Sequence, residues 1–495
     1  MKLFRGLSLT LAVILICAAG CGNVVSSDNQ TNTDATSDTI EPDTGKSDEI
    51  VPPEIEAVDC GGADYTILCR EAGTSYTFIY SEVFADEQNG EPMNDAVYKR
   101  NTIIEDKYNI ELVSIESGDL LALAKRTIMA GDNEFDLIMP MISDAFSLAV
   151  EGLLVNMSDV PHIDTSKPWW MTSMVNATSI GGRNYFISGE LNLSVFNAVG
   201  VTFFNKKLTE DLKLGNLYKV VNNGEWTIDK MAEYCRQVTN DINGNSEIDS
   251  SDRFGLVCST FAWQPLYYGT GSSMITKDGD DIPHLVWDTD RNIDAIGKIV
   301  SLLNNTEETI CVNHWSELQS NPGAATYNIF SEGRALFFSE VMYGAMQLRD
   351  MQDDFGILPL PKYDDIQEKY ATYVHTNHSS TSCIPITNDN IDLAGCILED
   401  MAYQSYLIIR PAFYEITLKG KNTRDEESSE MLDIIYDNIN IDLTLVMNRS
   451  GLPIDSTLRS AMQDNRTDLA SMIASQKSAC EEIIKKNTDT ILALD

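Results

Sequence analysis

Residues 241–252 read DINGNSEIDSSD and place oxygen-bearing groups at the offsets used by a calcium loop. Asp241, Asn243 and Asn245 stand at offsets 1, 3 and 5, and Asp249 and Asp252 at 9 and 12. The carbonyl of Glu247 falls at 7, and Ile248 supplies the apolar residue that packs such a loop inward. Calcium takes six to eight oxygen ligands, so this set is expected to hold a structural Ca2+. Two positions depart from the pattern. Ser246 stands where glycine usually makes the sharp turn, and Asp252 replaces the longer closing glutamate. A metal-free Asn/Asp/Gly/Ser turn is the competing reading.

A second group of residues suits sugar recognition, which combines aromatic walls with a few placed polar groups. The stretch STFAWQPLYYGTG at 259–271 offers Trp263, Tyr267 and Tyr268 in a context that reads as loop. ISDAF contributes Ser143 and Asp144, and FFSEVMYG places Glu340 and Tyr343 just after a strand. Trp169, Trp170 and Glu82 are weaker choices. Core packing is the alternative for each aromatic. Signals for catalysis are sparse. The five histidines (162, 284, 314, 375 and 378) form no HExxH, and neither a Gly-x-Ser-x-Gly elbow nor a phosphate-binding loop occurs. The 75 acidic residues make chance carboxylate pairs unavoidable, so glycoside hydrolysis stays open as an alternative.

These residues need elements to position them. YTFIY (76–80), NIELVSI (109–115) and FDLIMPM (135–141) read as strands, with helices at 95–108 and 118–132 between them. That alternation predicts a mostly parallel sheet with helices on both faces, and ligands then bind beyond the carboxyl ends of the strands. The loops SEVFADE and ISDAF would be exposed there. A similar rhythm runs from 199 to about 315. It includes a helix at 226–240 with Ile228, Met231, Ala232, Cys235 and Val238 on one face, followed by the strand FGLV. GRALFFSE is a further strand, and 395–409, 428–439 and 466–487 read as helices.

The ends and the composition set the setting. Lys2 and Arg5, an apolar run from Leu7 to Ala19, and small residues before Cys21 read as an export signal over 1–20. It resembles a bacterial lipoprotein signal, which implies lipidation at Cys21 and an exported chain held on the outer face of the cell membrane. Residues 21–72 are read as a polar tether. With 35 basic and 75 acidic residues the net charge is −40, which argues against nucleic acid and anionic lipid as partners. Of ten cysteines, eight remain beyond Cys21, and Cys60–Cys69 is the pair to test as a local bridge.

The segments VTFFNKKLTED, EWTIDKMAEYCRQVTNDINGNSEIDSSDRFGL, SEGRALFFSE and FGILPLPKYDD occur in that order. Together they resemble extracellular solute-binding lipoproteins of carbohydrate-type ABC importers. The resemblance implies a two-lobed α/β fold of the type II periplasmic-binding-protein class. Residues 73–190 with about 330–388 would form the first lobe, and about 195–329 with 389–495 the second. It also implies a monomer that captures an oligosaccharide between the lobes and hands it to a membrane permease, with no catalysis. A surface enzyme acting on polysaccharide, or the binding subunit of a sensor, are the alternatives.

Overall fold

The run ADYTILCR, assigned above to the tether, is a strand: β1, Ala63–Arg70. Tyr65, Ile67 and Cys69 bury on one face and Leu68 on the other, a pattern that suits the centre of a covered sheet. The structure, a computed structural model, describes residues 50–71, 73, 81–419 and 426–494. The signal, Cys21 and the strand expected at 76–80 lie outside the described residues. β1 stands between β2 (Ile110–Ser117) and β3 (Leu137–Met139), both parallel to it.

Helices α1 (Pro92–Tyr108) and α2 (Leu120–Ala130) make the crossovers. Pro92 opens α1, and the Glu91 carboxylate accepts from Asn94 N–H at 2.8 Å. Gly131, at φ 77°, closes α2 in the left-handed conformation that glycine adopts without strain. Helix α3 (Ile142–Val150) follows β3 almost directly, so ISDAF is not an exposed loop. Ser143 and Asp144 are buried in its first turn.

The second sheet has the order β10-β4-β9-β5-β8. Its strands are β4 (Gly200–Asn205), β5 (Phe254–Cys258), β8 (Thr309–Cys311), β9 (Ala335–Val341) and β10 (Phe355–Leu358), with a separate hairpin of β6 (Ile275–Lys277) and β7 (Pro283–Leu285). β5 runs parallel to β8 and β9, while β4 is antiparallel to β9 and β10. Helix Ile228–Val238 begins where Thr227 Oγ1 accepts from Lys230 N–H at 3.1 Å, and it buries Ile228, Met231, Tyr234, Cys235 and Val238.

Two placements differ from expectation. β9 and β10, expected with the first sheet, lie in the second. They are apolar on both faces, and ALFF pairs with both Phe204 and Leu256 neighbours. Only the stretch around Ser380–Pro385 joins the first sheet, Cys383 pairing antiparallel with Ile138. Conversely helix Ile391–Lys419 packs on α1, with Ile397, Met401 and Ala402 in the cluster that holds Ile104 and Tyr108. Lys107 Nζ and Tyr108 OH both reach Asp400 Oδ2 at 2.5 Å.

Two apolar clusters hold the fold. One covers the Ile67 face of the first sheet, and the other runs from its Leu68 face into the second sheet through Phe203, Phe337 and Trp226. The eight described cysteines are free thiols, so Cys60 and Cys69 are not bridged. Cys69 Sγ lies 3.3 Å from Ser114 Oγ, and Cys60 Sγ donates to Val58 O at 3.7 Å. Among the described residues no helix is long and apolar enough to cross a membrane.

Because β1 is the middle strand, a chain shortened to begin at Tyr76 should give no cooperative melting transition by circular dichroism. One shortened to begin at Pro52 should melt as the longer chain does. Equal melting of both would return 63–70 to the tether.

Candidate functional site

β5 and β9 run side by side in the same direction, so their carboxyl ends open at one edge of the second sheet. Ser259 directly follows β5, and Ser339 and Glu340 close β9. Between these ends and the crossover strand carrying Tyr373 and His375 lies a narrow cleft. Phe261, Gln264 and Pro265 complete its wall. Phe261 stands 52% exposed, against a background of buried aromatics, with the Arg459 guanidinium 4.7 Å from its ring centre. A chain of side chains fixes the polar lining. Tyr373 OH donates to Gln264 Oε1 at 2.6 Å, and Gln264 Nε2 donates to Asp455 Oδ1 at 2.8 Å. The cavity thus pairs one exposed ring with hydroxyl, amide, carboxyl and imidazole groups. That is the equipment to bind a hydroxylated ring.

The electrostatics favour neutral forms. Burial pushes the Glu340 carboxyl up to about 7, opposed by the Val341 N–H donated to its Oε1 at 2.9 Å. Burial, and then the neighbouring His378, lowers His375 to about 3; burial, and then Arg70, lowers His378 to about 4. The two imidazole rings lie 4.0 Å apart.

Against the first sheet, Asp144 forms an ion pair with Arg449, a residue of the short helical turn Met447–Ser450. Burial raises the Asp144 carboxyl while Arg449 and Arg70 oppose it. Ser143 Oγ donates to Asn377 Oδ1 at 2.6 Å. Ser143 therefore meets Asn377 from the far side of the crossover, just beyond the carboxyl end of β3, where Asp144 pairs with Arg449. Glu82 is buried deeper, its Oε1 accepting from Ser194 N–H and Ser380 Oγ at 2.7 and 2.8 Å.

Of the sequence candidates, Glu340 lines the cleft. Trp263, Tyr267 and Tyr268 do not form a loop; they lie on helix Trp263–Gly269, buried in the core. Tyr267 OH bonds Asn292 Oδ1 and Tyr268 OH bonds Thr444 Oγ1, so both hydroxyls are used internally. Trp263 and Tyr268 face a smaller cavity behind the cleft, beside Thr444 and Asp455. Tyr343 precedes a short helix and accepts from Gln347 Nε2, outside the cleft lining. Trp169 and Trp170 both donate through Nε1 to Glu399, a structural clamp, although Trp170 also edges a separate cavity of about 270 Å³. The residues missed are Phe261, Gln264, Tyr373 and His375. Phe261 sat inside the quoted aromatic stretch, two positions before the tryptophan chosen instead; its helical spacing from the buried faces was the available signal.

The loop at 241–252 folds on its own hydrogen bonds. Asp241 accepts from Gly244 and Ser246 N–H at 2.6 and 2.8 Å, and Asp252, fully buried, accepts from Ile242 and Asp249 N–H at 2.9 Å each. Ser246 sits at φ 69°, the left-handed turn that the sequence departure from glycine made costly. The Asn243 and Asn245 amides donate to Asp249. Helix on one side and strand on the other place the loop at the second sheet, away from the cleft lining.

Glu340 gives a pH signature with a definite sign. Its native carboxyl holds a proton to about 7, so its burial costs increasing stability as pH rises from the ordinary glutamate range to about 7. The neutral imidazoles of His375 and His378 act oppositely, costing stability as pH falls below the ordinary histidine range. Glu340→Gln should therefore raise the melting temperature at about pH 8 and leave it unchanged at about pH 4. A uniform shift at both would show that the carboxyl does not titrate in this way.

No protein-family model matches the chain, and no curated protein does. Solved structures do match. UspC of M. tuberculosis superposes with a TM-score of 0.57 at 13% identity, covering 85% of this chain and all of its own. A cyclo/maltodextrin-binding protein complexed with maltotetraose gives 0.55 at 12% identity, covering 88% and 98%. The GacH receptor of Streptomyces glaucescens, solved unliganded and with acarbose, gives 0.52 at 13% identity, covering 86% and 99%. Two sheets flanked by helices and joined by crossovers are thus the two-lobed α/β fold that these solved structures share.

Proposed function

We propose that this chain is an extracellular solute-binding protein that captures an oligosaccharide in the cleft lined by Phe261, Gln264, Glu340, Tyr373 and His375. The observation that carries this is the exposed Phe261 ring beside fixed polar groups, since a sugar presents a C–H face and a rim of hydroxyls. The ligands named for the structural neighbours, maltotetraose and acarbose, support the same class. Ligand contacts to both sheets would bias opening and closing about the crossover strands. The chain would act as a monomer, tethered by a lipid on Cys21 to the outer face of the membrane, and deliver its ligand to an ABC permease. No bond is broken in this scheme.

The loop 241–252 fits a structural Ca2+ held by Asp241, Asn243, Asn245, the Glu247 carbonyl, Asp249 and Asp252. Its left-handed Ser246 and buried Asp252 already give the turn that such an ion requires. The ion would staple the loop and take no part in ligand binding.

Calorimetry against a panel of maltose-type, cellulose-type and xylan-type oligosaccharides tests the function. Binding should be stoichiometric, and Phe261→Ala should weaken it at least about tenfold, or ~1.4 kcal/mol, without lowering the melting temperature. Glycan cleavage during the incubation would instead favour an enzyme, with the raised Glu340 carboxyl as its acid. For the loop, a chelator should lower the melting temperature of the native chain and not that of Asp241→Ala. No chelator effect on the native chain would remove the ion.

A further inference from the structure

Away from the cleft and from the 241–252 loop, His162, Asp392 and Cys396 bring an imidazole nitrogen, a carboxylate oxygen and a thiol sulfur within 4.8 Å of one another. We propose that these three side chains form a binding site for Zn2+ or a similar borderline divalent ion. The donor set is the first argument. Nitrogen, oxygen and sulfur from histidine, aspartate and cysteine together suit zinc, which takes tetrahedral sites with Cys, His and carboxylate ligands. Three protein ligands leave a fourth position for water. Asp392 and Cys396 are four residues apart at the start of helix Ile391–Lys419, so they rise from one face of its opening turns.

The second argument is how His162 is held. It adopts φ 71°, a left-handed backbone that is costly for a β-carbon-bearing residue. The neighbouring segment is pinned on both sides. Gly395 lets the helix touch the chain directly, since a Cβ there would lie 2.1 Å from Pro161 O. Three residues beyond Pro161, Asp164 N–H donates to Glu399 Oε2 at 3.3 Å, and the same carboxylate takes the indole N–H groups of Trp169 and Trp170 at 2.9 and 2.8 Å. The strained residue is thereby aimed at the helix, and His162 Nε2 lies 3.0 Å from Asp392 Oδ1. Ligand atoms around a tetrahedral zinc stand roughly 3.5 Å apart, so the His162–Asp392 pair at 3.0 Å is already in range and the remaining separations, within 4.8 Å, need close by at most about 1.3 Å. Asp392 is mostly exposed and free to make that adjustment, while Cys396 is buried beneath it.

Cobalt titration of the purified reduced chain, with calcium in excess to silence the 241–252 loop, tests the site. One equivalent of Co2+ should give a thiolate-to-metal charge-transfer band and the visible bands of a tetrahedral ion, both displaced by Zn2+. Cys396→Ala should abolish the charge-transfer band. His162→Asn, which keeps a residue tolerant of the left-handed backbone, should weaken Zn2+ at least about a hundredfold. Melting curves of the two variants without metal check that they fold; should Cys396→Ala fail that check, His162→Asn decides. An absent band, a band that survives Cys396→Ala, or unchanged Zn2+ affinity in His162→Asn would each overturn the proposal. Sugar binding is measured separately, so either reading can fail alone.

Discussion

Backbone hydrogen bonds between three crossing segments carry the architecture of the site. Gly200 N–H donates to Tyr373 O at 2.8 Å and His375 N–H to Ala198 O at 3.0 Å. On the other flank Thr372 N–H donates to Asn438 O and Asn440 N–H to Thr372 O, both at 2.9 Å. Strand pleating then alternates the side chains of 372–375, so Tyr373 and His375 share one face and enter the cleft together. Gly200 is needed at this junction because a Cβ would crowd Leu360, Pro265 and Tyr373 at 3.0–3.2 Å. From Tyr373 the order passes through Gln264 to Asp455, and Arg459 bonds Asp455 while covering Phe261. A loosened crossover would displace Tyr373 and His375 and release the Gln264 side chain that Tyr373 holds.

Desolvation decides the charge state of the cleft more than pairing does. Glu340, His375 and His378 are each shifted toward neutrality with burial as the largest cause. A carboxylic acid and a neutral imidazole can each both donate and accept a hydrogen bond. Hydroxyl groups can do the same, so the lining complements an uncharged, hydroxyl-rich solute more readily than an ion. The chain as a whole carries a net charge of −40, which would disfavour anionic competitors at a distance.

Helix positions and most strand positions were legible because they depend on near neighbours in the chain. Gly131 and the one-sided face of 228–238 are local signals, and the helices expected at 118–132 and 226–240 formed there, whereas the helix expected from 95 begins earlier, at Pro92, capped by Glu91. The first strand was hidden by its polar surroundings, yet YTILC carries the apolar run that a central parallel strand requires. Sheet membership was not legible. Nothing in ALFFSEV says whether it pairs with Phe204 or with Ile138; that choice is made by residues more than a hundred positions away. The same limit explains the aromatic misplacement. Trp263, Tyr267 and Tyr268 look equally suited to a sugar or a core, and only the helix they form, turned inward against Thr444 and Asn292, separates them from Phe261.

The sequence by itself determined the class of fold, the ordered segments of the resemblance, the acidic balance and the oxygen-rich loop at 241–252, because composition, periodicity and spacing are properties of short stretches. Tertiary structure alone decided which side chains share a cavity. Glu340, Phe261 and the Tyr373–His375 pair come from separate elements, and His162 meets Asp392 and Cys396 across more than two hundred residues. Such meetings are set by backbone ladders and by close approaches such as that at Gly395, whose geometry no local pattern encodes.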